Sequence, residues 1–193
     1  MLVAEGESKD FLGQEFLTWL WYYGETHEWT LPISEQETVS YGMDHDEEDD
    51  DPDKQKMKEV VVLEPPNEET CVQRLQGRKT IDSPEAIVAL KQGKKIAMVR
   101  LHLSYQDRLW LFLCKAEHLS ISSLKLVQPK AADPKQRVLE LAEDLEQFTR
   151  LFEQMYAYFL SIRLAPSWDA EELPKIQTWI EEQYQEYQKR LEE

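Results

Sequence analysis

The side chains in this sequence that could do chemistry are mainly lysines and arginines, and they are concentrated in one part of the chain. Between Thr70 and Val138 there are 13 Lys and Arg against 5 Asp and Glu, although the whole chain has a formal charge of −16. Such a cluster suits contacts with phosphate groups, or pairing with acidic neighbours in the same fold. The seven candidates for phosphate contacts are Arg74, Arg78, Lys79, Lys94, Lys95, Arg100 and Arg108.

Residue types that support catalysis or metal binding are present, but without the spacing that either function needs. The histidines are scattered, and none lies at ligand spacing from another histidine or a cysteine; they are His27, His45, His102 and His118. No glycine-rich phosphate loop or nucleophile elbow occurs. Cys71 and Cys114 lack CxxC spacing, which favours reduced thiols on strands. The sequence therefore predicts a protein that is not an enzyme, with no cofactor, no metal and no small-molecule substrate.

The pattern of Ser83–Val127, which holds most of these cations, predicts a short helix, a glycine turn and adjacent strands. Pro84 suits the first turn of the helix, and Gly93 suits its left-handed exit. The apolar period then changes to two, which predicts one strand face with Ala97, Val99, Leu101 and Leu103 and another with Ile96, Met98, Arg100 and His102. A hairpin turn is predicted at Tyr105–Asp107. Because both strand faces are largely apolar, we expect the sheet to be covered on both sides.

A first helix is predicted over Asp10–Tyr23, ending at Gly24. It is apolar almost all round, which is typical of a helix that is deeply buried or lies in an interface between subunits. Nucleic-acid stacking is disfavoured, because this range contains no basic residue. Gly13 would let a neighbouring backbone approach closely. We expect a homodimer that buries part of this helix through Phe11, Phe16, Trp19 and Trp21.

The run Asp44–Asp53 holds eight acids in ten residues, which predicts a self-repelling, disordered loop. Calcium binding is disfavoured, because the glycine and the terminal glutamate of an EF-hand loop are missing. Further strands are predicted within Glu28–Tyr41, Glu59–Glu64, Thr70–Gln76 and Ser122–Gln128.

Apolar residues of the C-terminal part recur at alternating steps of three and four, a heptad stripe along a helix from Pro134 to about Leu164. The stripe comprises Val138, Leu141, Leu145, Phe148, Phe152, Met155, Phe159 and Ile162. It favours an antiparallel hairpin with a final helix near Leu173 over a purely intermolecular coiled coil. We therefore predict an α+β fold. Residues 1–130 form an antiparallel sheet flanked by the aromatic N-terminal helix and the short helix, and residues 131–193 form a C-terminal antiparallel helical hairpin packed on it.

No apolar run approaches the ~20 residues that a membrane span needs, and the first residues are acidic rather than a basic flank of a signal peptide. We therefore expect a cytoplasmic protein without membrane contact, associated with the nucleoid if it binds DNA.

Three stretches together resemble the recombination-associated protein RdgC family. Phe11–Glu25, with the sequence FLGQEFLTWLWYYGE, is similar to the family's Trp-Leu-Trp segment. Glu85–Leu126 resembles its glycine-lysine turn, its paired strands around an Arg-Leu turn and the strand that follows. Phe159–Trp168, with the sequence FLSIRLAPSW, is similar to the closing helical region of shorter relatives. The resemblance covers most of the chain.

The resemblance implies non-catalytic, sequence-independent binding to double-stranded DNA by a ring-like dimer that limits recombinase loading. Of the seven cations, only Lys94 and Lys95 match a family motif. Family members usually carry a further N-terminal portion before the Trp-Leu-Trp segment, and its loss could remove ring closure or DNA binding. The alternative function is a protein-interaction module with an acidic surface that has lost DNA binding. DNA binding requires the cations to lie on one face, and strands that distribute them over both faces would prevent it.

Overall fold

The structure, a computed structural model, describes residues 11–34, 37–43, 59–64, 73–77 and 84–192. The acidic run, Cys71, Arg78 and Lys79 lie outside these ranges. The elements in chain order are α1 (Phe11–Thr26), β1 (Thr30–Pro32), β2 (Thr38–Met43), β3 (Glu59–Glu64), β4 (Gln73–Gly77), α2 (Pro84–Lys91), β5 (Lys95–Tyr105), β6 (Arg108–Lys115), β7 (Ser120–Lys125), α3 (Pro134–Arg163) and α4 (Leu173–Glu192). The predicted α+β class, with its antiparallel sheet and its C-terminal pair of helices, is confirmed.

The long strand β5 is the centre of an antiparallel sheet of seven strands. One edge of β5 pairs with β6, and β7 follows on the outside of β6. The other edge is shared: β3 pairs with the first half of β5, through Val61 opposite Val99, and β2 pairs with the second half, through Tyr41 opposite Leu103. The hairpin predicted between β5 and β6 is present, and Gln106 at its tip has a φ of 56°.

The alternation predicted for β5 holds in its second half and fails in its first. Val99, Leu101 and Leu103 share a buried face, as expected. Before them the register with β3 shifts by one residue at Ala97, which makes a β-bulge. Because of this bulge, Ile96 rather than Ala97 lies in the core. A period of two in the sequence does not reveal an inserted residue, because its position depends on the partner strand.

Helix α1 lies between the sheet and the C-terminal helices, so its apolar circumference is buried within one chain. On the sheet side, the Tyr41 hydroxyl donates a hydrogen bond of 2.9 Å to the carbonyl oxygen of Leu20. On the other side, the ring of Phe16 contacts those of Phe152 and Phe159 of α3. Helix α4 contributes Trp179, whose ring packs edge-on against Trp21 and Tyr22. Helices α1 and α3 therefore both pack on one side of the sheet, and α4 packs on α1.

This layering corrects the predicted dimer interface. Phe16, Trp19 and Trp21 are each at most 1% exposed in a single chain, so none of them lies on a surface that a second copy could contact. The C-terminal helices supply the cover that the sequence prediction assigned to a partner subunit. The side chain of Phe11 lies outside what the structure describes.

Two glycines of α1 are explained by close contacts. A Cβ at Gly13 would lie 2.1 Å from the carbonyl oxygen of Ala116, so the predicted close backbone approach is confirmed. The helix does not end at Gly24 but continues to Thr26. At Gly24 a Cβ would lie 2.3 Å from the ring of Trp29. Gly24 is therefore required for packing rather than for ending the helix.

The heptad stripe of α3 is half buried and half exposed. Its second part is in the core, at Phe148, Phe152, Met155 and Phe159. In the first part Val138 is 65% exposed and Leu145 is 46% exposed, as is the neighbouring Leu139 at 54%. The buried part packs on α1 and β6, whereas α4 packs on α2 and α1. The neighbours of the buried part of the stripe are thus α1 and β6, because a heptad pattern indicates an apolar neighbour but not which one.

The predicted end of α2 and the predicted start of α3 agree with the backbone. Gly93 after α2 has a φ of 84°, and the N–H of Lys94 donates to the carbonyl oxygen of Ala89 at 3.0 Å. At the start of α3, Asp133 accepts a hydrogen bond of 3.0 Å from the N–H of Gln136. None of the described helices has the length and apolar character that a membrane crossing demands.

Candidate functional site

The cations predicted to contact DNA do not form one surface. Lys95 lies on the helical side of the sheet, where its Nζ is 3.3 Å from Glu15 of α1. The same carboxylate is 2.6 Å from Nε of Arg163 at the end of α3. Because Glu15 is only 12% exposed and holds two cations, it ties the start of β5 to α1 and α3. Lys95 therefore has a structural contact, which makes it a poor phosphate ligand.

Arg108 is also held by a carboxylate on the helical side. Its Nη1 lies 2.9 Å from Oδ1 of Asp144, whose side chain is 3% exposed. The second oxygen of Asp144 accepts hydrogen bonds from Trp110 Nε1 at 3.1 Å and from the N–H of Val127 at 2.8 Å. Three donors thus compensate one buried charge, which fixes α3 against β6 and the segment after β7. Arg108 serves this network rather than an exposed basic surface.

The remaining predicted cations divide between two places. Lys94 follows the glycine turn and lines a cleft between α1, α2 and α4. Arg100 of β5 lies on the opposite side of the sheet, because its neighbours Val99 and Leu101 face the helices. The position of Arg74 on β4 shares that side, since it pairs through Val62 with Met98. Arg78 and Lys79 lie outside the described residues, and the other five candidates are distributed over both sides of the sheet. By the condition stated from the sequence, these five cannot form one DNA-binding surface together, so only the cations of one side could act as a group.

We call the side of the sheet away from the helices the outer face. Its positions on β5, β6 and β7 are Met98, Arg100, His102, Ser104, Leu109, Leu111, Leu113, Lys115, Ser120, Ser122 and Lys125. The described helices make their ring contacts with the strands through the other side, at Trp110 and Phe112. The outer face is accordingly less buried, and Leu109 is 53% exposed.

Charge is segregated on the outer face. Across the paired positions from β7 to β2, the charged side chains are Arg100, Lys115 and Lys125, and no carboxylate occurs among them. Lys115 and Lys125 are exposed and Arg100 is half-buried. Sequence reasoning missed Lys115 and Lys125. Lys115 follows the buried Cys114, which places it on the side of Arg100, whereas Lys125 is placed there by its pairing with Leu111 across a register shift between β6 and β7. The position of both lysines on the outer face became evident only from the strand register.

Two further outer-face side chains have unusual surroundings. Nη1 of Arg100 is buried and has no hydrogen-bond partner among the described residues. The ring of His102 lies over Gly42, where a Cβ would be 2.3 Å from Cε1. This close contact supports the prediction that His102 is a packed histidine.

The described residues show no group of three or more His, Cys, Asp or Glu side chains that could hold a metal ion. Cys114 is fully buried on β6, and burial raises the pKa of its thiol to about 12. A thiol in this state is a poor nucleophile at neutral pH. The prediction that Cys114 is a thiol on a strand is confirmed.

The chain matches no family model, and no curated protein or solved structure is significantly similar to it. The resemblance to the RdgC family therefore stays a prediction, which depends on the three sequence stretches alone.

Proposed function

We propose that this protein is a non-catalytic, RdgC-like binder of double-stranded DNA and that it contacts the duplex through the outer face. The observation that carries the proposal is the segregation of charge. In a chain with a net charge of −16, the paired outer-face positions of β5, β6 and β7 hold three cations and no carboxylate.

Electrostatics allows this surface to act against the net charge of the protein. At ~0.15 M salt the screening length is about 8 Å, so acids elsewhere on the molecule contribute little to the potential at the outer face. Each phosphate contact releases counterions, and log K falls against log salt by about 0.9 per contact. Three to four contacts predict a slope of about −3 to −4, and affinity should not depend on base sequence.

The second candidate function is docking of an acidic protein segment on the same face. It is favoured by the apolar side chains of Leu109, Leu111 and Leu113, which lie between the cations. Phosphate groups make no favourable contact with leucine side chains, whereas apolar side chains of a protein partner would pack against these leucines. This candidate is the protein-interaction module given above as the alternative function, with the outer face rather than an acidic surface as its binding site.

Fluorescence anisotropy with two unrelated labelled duplexes at about 50 mM salt tests the DNA proposal. The wild type should bind both alike. Lys115→Glu with Lys125→Glu should weaken binding at least about tenfold and reduce the salt slope by about two. The matched control is Lys135→Glu with Lys189→Glu, which changes the net charge equally on exposed helix positions and should change binding little.

Two outcomes contradict parts of this proposal. Absence of binding to any duplex at low salt excludes DNA as the partner and leaves the acidic segment. Loss of binding on Lys94→Glu with Lys95→Glu, but not on the Lys115 and Lys125 changes, places the DNA site at the glycine turn instead. An acidic, leucine-containing peptide whose binding is lost on Leu111→Ser with Leu113→Ser would support the second candidate.

We also propose that the protein forms a homodimer through the first half of α3 rather than through α1. Val138, Leu139 and Leu145 are the exposed apolar residues of that segment, and burial of such residues favours association. Light scattering at tens of micromolar protein should give twice the monomer mass, and Leu145→Glu should return the protein to a monomer. A monomeric wild type contradicts this proposal.

A further inference from the structure

A cleft of about 500 Å³ opens between α1, α2 and α4. Its apolar lining is formed by Trp19, Leu90, Trp168, Leu173, Ile176 and Ile180. This volume falls within the range of roughly 300–1,000 Å³ that is usual for small-molecule sites, which are also mostly apolar with a few polar groups. The cleft is therefore large enough for a ligand of modest size.

One wall of the cleft is held in place by the ion pairs of Glu15. This carboxylate contacts Lys95 at 3.3 Å and Arg163 at 2.6 Å. The guanidinium of Arg163 in turn lies 5.0 Å from the ring centroid of Trp168, a cation–π contact. Trp168 begins the single π-helical turn Trp168–Glu172 that precedes α4; such turns are frequent at functional sites. The wall is therefore positioned before any ligand arrives.

The polar rim of the cleft has an excess of positive charge. Lys91, Lys94 and Lys95 line it together with Glu15 and Glu181. Lys91 of α2 forms an ion pair with Glu181 of α4, which bridges the two helices at the mouth. In a chain with a net charge of −16, a cleft with three lysines and two glutamates favours an anionic ligand group.

The indole of Trp19 forms part of the cleft wall. Trp19 lines the cleft and is 1% exposed, yet its indole Nε1 has no hydrogen-bond partner among the described residues. Buried donors in folded proteins are nearly always paired, so an unpaired one requires an explanation. Because this nitrogen is itself buried, a ligand in the open cleft would reach it only after movement of the indole, and the head group is therefore assigned from the charges of the rim.

We propose that this cleft binds an amphipathic carboxylate, such as a medium-chain fatty acid or an aryl acid. The apolar body packs between Trp19, Trp168 and Ile180, and the anionic head lies near Lys94. This site is independent of the outer face, so the failure of the DNA proposal would not affect it. The proposed site departs from the sequence prediction of no small-molecule substrate. The sequence could not reveal it, because the segments that form the cleft are distant from one another in the chain.

Titration with decanoate, followed by tryptophan fluorescence and by calorimetry, tests the proposal. The wild type should bind decanoate saturably, and decan-1-ol should bind at least about tenfold more weakly because it lacks the charge. Ile180→Trp should abolish binding by filling the cleft. Lys94→Glu should weaken decanoate about tenfold without changing the affinity for decan-1-ol. The matched control, Lys135→Glu, changes an exposed lysine of α3 and should bind as the wild type does.

Each contrary result overturns a specific part of the proposal. Saturable binding that survives Ile180→Trp places the ligand elsewhere, for example on the exposed leucines of α3. No saturable binding of decanoate by the wild type excludes the site. Equal loss on Lys94→Glu and Lys135→Glu would show a net-charge effect, not a head-group contact. Circular dichroism should be used to check that each variant is folded. If Ile180→Trp does not fold, the comparison of Lys94→Glu with the wild type still tests the site.

Discussion

The two faces of strand β6 have similar side chains but different surroundings. The residues that face the helices, Trp110, Phe112 and Cys114, are at most 2% exposed. The residues that face outward alternate with them, and Leu109 is 53% exposed. Phe112 contacts two rings of α3, whereas the outward leucines lie among the cations of the outer face. Hydrophobicity is thus necessary for burial, but the packing of another element decides which face is buried.

The charges on the two sides differ in the same way. On the helical side Lys95 and Arg108 are each held by a carboxylate, from α1 and α3 respectively. On the outer face, the paired positions of β5, β6 and β7 contain Arg100, Lys115 and Lys125 but no carboxylate. Lys95 and Arg108 therefore contact carboxylates that join the sheet to the helices, whereas Lys115 and Lys125 are exposed on the other side.

The largest expected effect comes from truncating the buried face. Phe112→Ala should lower the free energy of unfolding by about 3–5 kcal/mol, because it removes a ring packed against Phe148 and Phe152. Urea denaturation followed by circular dichroism measures this. The matched change on the outer face, Leu109→Ala, should cost much less. Equal losses for the two variants would mean that the faces do not differ as described.

Removing the buried carboxylate should have the next largest effect. Asp144→Ala leaves the donors of Arg108, Trp110 and Val127 without their acceptor, and it should destabilise the protein by about 3 kcal/mol. Arg108→Ala should cost about 1 kcal/mol, because Asp144 keeps two N–H donors. Urea denaturation of both variants gives the comparison. A larger loss for Arg108→Ala would make the arginine, not the carboxylate, the centre of the network.

Cys114 provides a pH-dependent test of the buried face. Its pKa is raised by burial from 9.0 to about 12, so the folded state retains a proton that the unfolded state loses. The contribution to stability is therefore complete below pH 9 and decreases as the pH rises toward 12, by at most about 1.4 kcal/mol per pH unit. Denaturation from pH 8 to about 10.5 should show this decrease in the wild type relative to Cys114→Ala. Identical pH profiles would contradict the burial of this thiol.

The smallest effect is expected on the outer face. Leu109→Ser should change the free energy of unfolding by less than about 1 kcal/mol, because its side chain is half exposed already. Differential scanning fluorimetry should give nearly the wild-type melting temperature. A large destabilisation would show that something in the folded chain covers this face, which would remove it as a binding surface.

Much of the local structure follows from the sequence. Pro134 predicts the start of α3, and Gly93 predicts the exit from α2, because the first turn of a helix and a left-handed exit depend on neighbouring residues only. The hairpin between β5 and β6 also follows from neighbouring residues, those of its turn. The class of the fold follows as well, since alternating and heptad patterns identify strands and helices before their neighbours are known.

The arrangement of these elements was decided by the tertiary structure. The apolar circumference of α1 predicts burial, but only the packing shows that α3 and α4, rather than a second subunit, bury it. The bulge at Ala97 and the pairing of Glu15 with Lys95 depend in the same way on partners that are distant in sequence. Side-chain patterns specify what kind of surface an element presents. Which surfaces meet depends on long-range packing and on the compensation of buried charges, and no local pattern records either.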